Sequence, residues 1–520
     1  MATPTIIVSC HCGQARQTLF LQGSGDLFSD VSFCHCDTCR HVTGQLYTSY
    51  VPLSPIRHPD ISMLQARSTS PSETRYFCPK CGCHVFRLKD SVAQEWEVAT
   101  GVILDAPELD TSTGPPRECR HKHLEDIMNS NLWIWMRADT ARPLPNPPAH
   151  PHPPGPDDAR LLASCHCERV SLSISRPSLP LSENPDAPFP DLLLPYHSTP
   201  PSVIANPSKS KWYIHEVPSS PSHPSKTTEP GPSKTAEPAP SMTTEPDPGM
   251  IVESDPSMTT EPGPSKTAEQ GPGKTAKPDP SMTTVPEPKY KYLAGTCACA
   301  SCRLTSGFEV QSWAFVPVRN IQLMMPYPDV SLNLKARNDP PLSPQLPSDL
   351  SYDLDVEPKA DPPPTTPHHP PALRLDFASS PTQSLLSSYS SSPGVTREFC
   401  GGCGATCFWR STERPELVDL SAGLIGAPCR ATARAAARAG AGAGGGTRTE
   451  TGARADDWLH WHTGRTSFAE EAGTGRHRGA RAFGELVVDR LEAGLRKSRE
   501  RENDGVYGQE IQIVYLGFAL

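Results

Sequence analysis

The feature that most constrains this chain is an ordered set of seven cysteines that occurs twice. A CxC pair at Cys10 and Cys12 is followed by a CxCxxC triplet at Cys34, Cys36 and Cys39 and a CxxC pair at Cys78 and Cys81. The same order returns as Cys165 and Cys167, then Cys297, Cys299 and Cys302, then Cys400 and Cys403. Chance is a poor explanation for such a recurrence. Clustered CxC and CxxC pairs are metal-ligand spacings, whereas a disulfide framework belongs to secreted chains. The N-terminus, MATPTIIVSCHCG, has no basic region followed by a long apolar run, and no stretch approaches eighteen consecutive apolar residues. A soluble, cytoplasmic protein with reduced thiols is therefore expected.

Counting ligands separates two kinds of site. A CxC and a CxxC together offer four thiolates, enough to close a tetrahedral structural zinc site. Cys10, Cys12, Cys78 and Cys81 would form one such site, and Cys165, Cys167, Cys400 and Cys403 the other. Gly82 and Gly404 directly follow the CxxC pairs, where a tight knuckle calls for positive φ. Each CxCxxC then remains with three thiolates, so a metal there keeps a position for water or an incoming ligand, as catalytic zinc does. A thiol substrate suits that position, because coordination holds it as the thiolate. The competing reading has His35, His41 or His84 supplying a fourth ligand to a merely structural site. Arg40 and Arg303 follow the third cysteine of each triplet, with Gly44 and Gly307 four residues further on. Those arginines either neutralise the thiolates or bind a substrate carboxylate, or else are solvated surface residues. Cys83 and Cys407 fall outside the repeated spacing and read as small buried hydrophobes.

Composition explains how so long a chain can carry so small a framework. Sixty-one prolines among 520 residues, with 36% hydrophobic residues, mean that much of the sequence does not build core. The formal charge of -9 gives no electrostatic case for nucleic acid or an anionic membrane. Residues 5 to 102 read as short strands, in TIIVSC, ARQTLFL, QLYTSYVPL, TRYF, HVFRL and EWEVATG, without sustained helical periodicity. A first zinc domain is placed at 1–140, with Leu132, Trp133, Ile134 and Trp135 closing it, followed by a Pro-rich linker at 141–160. The second domain spans 161–500. There, 129 residues separate Cys167 from Cys297, against 21 between Cys12 and Cys34. The excess includes an eight-residue period marked by Glu229, Glu237, Glu245, Glu253, Glu261 and Glu269, whose units have almost nothing apolar to bury. Disordered inserts are expected at about 178–288, 338–393 and 431–454, since loop closure costs little more as a loop lengthens. Phe483, Val487, Leu491 and Leu495 share one face of a helix expected from Ala482 to Lys497 and docked on the domain. The tail, 501–520, has no assigned role.

This cysteine order, with Arg after the triplet and CxxCG later, resembles the family of glutathione-dependent formaldehyde-activating enzymes, which shares its domain with centromere protein V. The second copy is similar to fungal members in FCGGCGATCFW, RPELVDLSAGLI and GARADDWLHWHTGRTSFAEEA. The resemblance implies a mainly β fold: two tandem β-tent domains of stacked small antiparallel sheets with a short C-terminal helix. It also implies two zinc ions per domain, four per chain. Carried over by position, Cys34, Cys36 and Cys39 hold the catalytic metal of the first copy, and Cys297, Cys299 and Cys302 that of the second. The implied reaction adds glutathione to formaldehyde, formally a carbon-sulfur lyase in reverse, so small thiols and aldehydes are the expected partners. The zinc framework specifies this fold better than the substrate. A non-catalytic tandem zinc module in an interaction protein is the alternative.

Overall fold

Short β-branched and aromatic runs pair into mainly antiparallel sheets, in which the central strands are buried on both faces and the outer ones on one. The computed structural model describes residues 5–21, 27–28, 31–53, 58–89, 92–108, 120–123, 132–136, 160–217, 289–325, 372–426 and 453–504. In the first half these are β1 (Thr5–Val8), β2 (Gln17–Phe20), β3 (Ser32–Cys34), α1 (Asp37–Thr43), β4 (Thr48–Pro52), β5 (Gln65–Ser68), β6 (Thr74–Phe77), β7 (His84–Leu88), β8 (Trp96–Ala99), β9 (Ile103–Ala106), β10 (Arg120–Lys122) and α2 (Trp133–Met136). Three strands form the sheet β2-β1-β9, and seven form β10-β3-β4-β8-β7-β6-β5.

The second half repeats this plan. Its elements are β11 (Arg160–Ser164), β12 (Ser171–Ser175), α3 (Pro201–Ile204), β13 (Ile214–Val217), β14 (Lys289–Cys297), α4 (Ala300–Ser306), β15 (Gln311–Pro317), β16 (Ile321–Met324), β17 (Ala372–Arg374), α5 (Ser380–Leu385), β18 (Leu386–Ser392), β19 (Val395–Cys400), β20 (Thr406–Ser411), β21 (Leu417–Ser421), β22 (Leu459–Trp461) and α6 (Arg478–Asp504). The larger sheet runs β13-β14-β15-β21-β20-β19-β18, with β22 against β14. Registers match across the halves: Tyr50 faces Ala99 as Trp313 faces Ser421, and Arg87 faces Glu97 as Trp409 faces Asp419.

The halves are interlocked within one compact unit formed by the described residues up to Val217 and from Tyr290 onward. One hydrophobic cluster takes in Phe33, Phe86 and Val98 together with Ala163, Phe308 and Phe408. Gly44 and Gly307, the left-handed C-caps of α1 and α4, each sit against a backbone carbonyl of the opposite half, that of Thr406 and that of His84. Gly82 and Gly404, both at φ +77°, face the rings of Phe399 and Phe77. The amphipathic helix is longer than its apolar stripe, 27 residues in α6, and it docks on β9 and α2 of the first half. Phe28 and Phe483 stack there at 4.3 Å. Leu132 and Trp135 are buried, as the closing segment requires, yet Trp135 meets Trp461 of the second half.

Two stretches expected within inserts have structure. Residues 178–217 carry α3, β13 and a small cluster around Leu192, Trp212, Tyr213 and Phe315. Residues 372–392 carry β17, α5 and β18, the last an edge strand whose alternating exposure needs few apolar side chains. Serine-rich LSSYSSS thus pairs along β19 despite its composition. The eight-residue repeat, the stretch 431–454 apart from its last two residues, the linker 141–159 and the tail after 504 lie outside the described residues.

Candidate metal centres

Each cysteine group predicted from spacing converges. Cys10, Cys12, Cys78 and Cys81 place their sulfurs within 4.8 Å of one another, and so do Cys165, Cys167, Cys400 and Cys403. Neighbouring Sγ atoms lie 3.4 to 3.6 Å apart in these groups. Tetrahedral zinc, with Zn–S of about 2.3 Å, needs sulfurs about 3.8 Å apart, so the donor sets fit a closed zinc site with a small outward adjustment. Backbone N–H groups of Ala15, Val170 and Gly402 point at Cys10, Cys165 and Cys400. Such donors satisfy sulfur lone pairs that a thiolate would otherwise bury unpaired. The knuckle glycines adopt the expected left-handed conformation.

The triplets are built at helix starts. Cys36 caps α1 by accepting from the Cys39 N–H at 3.4 Å, and Cys299 caps α4 by accepting from Cys302 at 3.2 Å. Cys34 ends β3 and Cys297 ends β14, so strand, cap and helix each contribute one sulfur. Cys34, Cys36 and Cys39 lie within 4.8 Å of one another, as do Cys297, Cys299 and Cys302, and among the described residues no histidine or carboxylate joins either group. His35 Nε2 is instead hydrogen-bonded to His121 Nδ1 at 2.9 Å, and His41 Nδ1 donates to the Ser164 carbonyl at 2.7 Å.

Arginines do approach the sulfurs, but not those that follow the triplets. Arg75 on β6 donates to Cys39 Sγ at 3.1 Å and to the Tyr50 hydroxyl at 3.1 Å, and its Nε donates to Glu73 at 2.9 Å. Arg397 on β19 donates to Cys302 Sγ at 3.4 Å and to Ser301 Oγ at 3.1 Å. The Cys39 thiol is held well below its ordinary range, first by the Cys34 and Cys36 thiols and then by Arg75 and Arg87. Cys302 is lowered in the same way by Cys297 and Cys299 and then by Arg397. A thiolate at the third position is thus favoured in both triplets. The signal for these arginines stood in the sequence: Thr74-Arg75-Tyr76-Phe77-Cys78 and Thr396-Arg397-Glu398-Phe399-Cys400 share the pattern TRxFC.

Arg40 and Arg303 are buried, which sets aside the solvated reading, and they brace the two halves. Arg40 donates to the carbonyls of Gly423 at 3.3 Å and Ile425 at 2.9 Å, and to Asp37 at 2.8 Å. Arg303 donates to the carbonyls of Gly101 at 2.7 Å and Thr474 at 2.9 Å. Cys83 and Cys407 are fully buried, outside every sulfur group, and burial raises both thiols.

Fold and sulfur groups together define a β protein with closed four-thiol knuckles and open three-thiol sites. Residues 5–119 match the family model described as glutathione-dependent formaldehyde-activating enzyme. The comparisons with curated proteins and with solved structures returned no match. No helix among the described residues is long and apolar enough to cross a membrane.

Proposed function

We propose that the protein is a zinc-dependent enzyme of the carbon-sulfur lyase type, joining glutathione or another thiol to formaldehyde or a related small aldehyde. In this reading the second half is a diverged copy of the first. Cys34, Cys36 and Cys39, and likewise Cys297, Cys299 and Cys302, would hold zinc; the two four-thiol groups would hold two structural ions. Zinc held by three thiolates would supply a Lewis acid that favours the thiolate form of a substrate thiol. The sulfur then bonds to the aldehyde carbon, the C=O π bond opens, and the thiol proton ends on the oxygen, giving a hydroxyalkyl thioether. Arg75 and Arg397 offset the charge of the third thiolate, so the triplet can accept a further anionic sulfur at lower electrostatic cost.

The observation that carries this reading is that both triplets keep three sulfurs and a buried arginine, without a fourth protein ligand among the described residues. Exchange NMR of glutathione and formaldehyde with the zinc-loaded chain tests it. Acceleration over the uncatalysed rate, abolished when Cys36→Ser and Cys299→Ser are combined, is expected. A folded double variant that keeps two of four metals locates the loss in the triplets. No acceleration with any thiol tried would leave the tandem module as a non-catalytic binding protein.

A further inference from the structure

The two triplets differ in what surrounds them, and the differences fall at matching positions. In the first half the Arg87 guanidinium stacks 4.2 Å over the Tyr50 ring and pairs with Glu97. The register that places Arg87 and Tyr50 there places Trp409 and Trp313 in the second half. A third position follows from the strand beside each triplet. The Lys122 carbonyl accepts from His35 N–H at 3.2 Å, and the Ser467 carbonyl accepts from Ala298 N–H at 2.9 Å. The residues that follow, His123 and Phe468, both have left-handed backbones, φ +58° and +52°. Tyr50, Arg87 and His123 are therefore replaced by Trp313, Trp409 and Phe468.

The three aromatic rings pack on the second triplet. Cys297, Cys302 and Trp313 form a buried cluster against which Cys299, Trp409 and Phe468 lie half-buried. A bulky residue with left-handed backbone is uncommon and costs energy unless neighbours impose it. Here the buried Asp191 accepts from the Phe468 N–H at 2.8 Å, and Arg465 pairs with the same carboxylate at 3.3 Å. Tyr196 stacks on Phe468 with centroids 6.4 Å apart. The Arg414 guanidinium lies 4.6 Å from the Trp409 ring, which holds that indole in place. Flat apolar surface at the edge of a thiolate site favours ligands that can stack, whereas arginine and histidine favour polar or anionic ones.

We propose that the triplets have diverged in specificity: the site of Cys297, Cys299 and Cys302 takes a thiol or aldehyde bearing an aromatic group, seated against Trp409 and Phe468. The site of Cys34, Cys36 and Cys39 does not take it. This rests on the enzymatic reading for its chemistry, but the seat is testable by binding alone. Benzyl mercaptan is titrated calorimetrically into the zinc-loaded full chain. One strong site per chain is expected, weakened at least tenfold by Trp409→Arg and by Phe468→Ala, with tryptophan fluorescence confirming that each variant is folded. Two equivalent sites, no binding, or unchanged affinity in both folded variants would overturn the proposal. The glutathione and formaldehyde exchange rate, measured separately, decides the enzymatic reading, so the two failures are distinguishable.

Discussion

Glycine at the contact between halves offers a quantitative test of the interlocked fold, because three positions separate two costs. At exposed Gly475, φ is +69° and an added methyl would meet nothing within 4 Å. Gly475→Ala therefore carries only the left-handed penalty, about 1 to 2 kcal/mol. At Gly101 no positive φ is involved, but a Cβ would lie 2.6 Å from both the Gly307 carbonyl carbon and the Phe308 nitrogen. Both are backbone atoms of the other half and cannot rotate away, so overpacking costs about 1 to 3 kcal/mol. Gly307 combines the terms: φ is +95°, and a Cβ would press into the His84 carbonyl. Gly307→Ala should then lose about 2 to 5 kcal/mol, since the left-handed and overpacking costs both fall on one residue. Urea unfolding at saturating zinc, followed by tryptophan fluorescence, gives the midpoints. If Gly101→Ala unfolds with the wild type, and Gly307→Ala costs no more than Gly475→Ala, the close backbone approach of Gly307 to Gly101 and His84 is not as described.

Two further outcomes follow from buried charge. Arg75→Met and Arg397→Met should each lower metal affinity at their own triplet by about 10- to 100-fold, as loss of a partner around a metal ligand generally does. Chelator competition measures this, and an equal effect on both triplets from either variant would contradict the assignment of one arginine to each. Burial lowers His41, His84 and His215 to about 3 and His121 and His462 to about 4, from an ordinary 6.5. These groups fold neutral, so the unfolded chain binds more protons as pH falls below about 6.5, and stability declines from there. Replacing His215 by Gln should flatten that decline by at most about 1.4 kcal/mol per pH unit. Comparison with the wild type at each pH removes the contribution of thiolate protonation, and an identical slope would refute the point.

The cysteine framework was legible because covalent chemistry fixes it: few residue types bind zinc, and their spacing survives any insertion. Hence Cys165 could be grouped with Cys400 across both inserts. Strand content in residues 5–102 was legible from alternation. Composition misled at LSSYSSS, where an edge strand needs side chains on only one face to be apolar, and at residues 178–217, where Trp212 and Tyr213 are too thinly spread to show periodicity. The role of Arg40 and Arg303 was hidden for a different reason. Proximity to a thiol in sequence says nothing about which carbonyls of the other half lie across the interface. Arg75 and Arg397 were missed although TRxFC occurs twice, because they are distant in sequence from the sulfurs they reach.

The interlocking has a chemical consequence for how the four sulfur groups depend on one another. The knuckle residue His11 donates its backbone N–H to the Leu304 carbonyl at 3.0 Å, and His166 donates to the His41 carbonyl at 2.9 Å. Leu304 and His41 each stand two residues after the third cysteine of a triplet. The closed group of one half is thereby tied to the open group of the other as well as to its own, which Arg75 and Arg397 reach from the strands leading into Cys78 and Cys400. Arg40 and Arg303 cross in the same sense, each from a triplet helix to the turn after a central strand of the opposite half, β21 for Arg40 and β8 for Arg303. A metal held by Cys10 and Cys12 would therefore steady the helix carrying Cys302, and one held by Cys165 and Cys167 the helix carrying Cys39. Two independent domains on a linker would have no such exchange. In this chain the helix behind each triplet is braced by carbonyls of the partner half, whatever side chains surround its sulfurs.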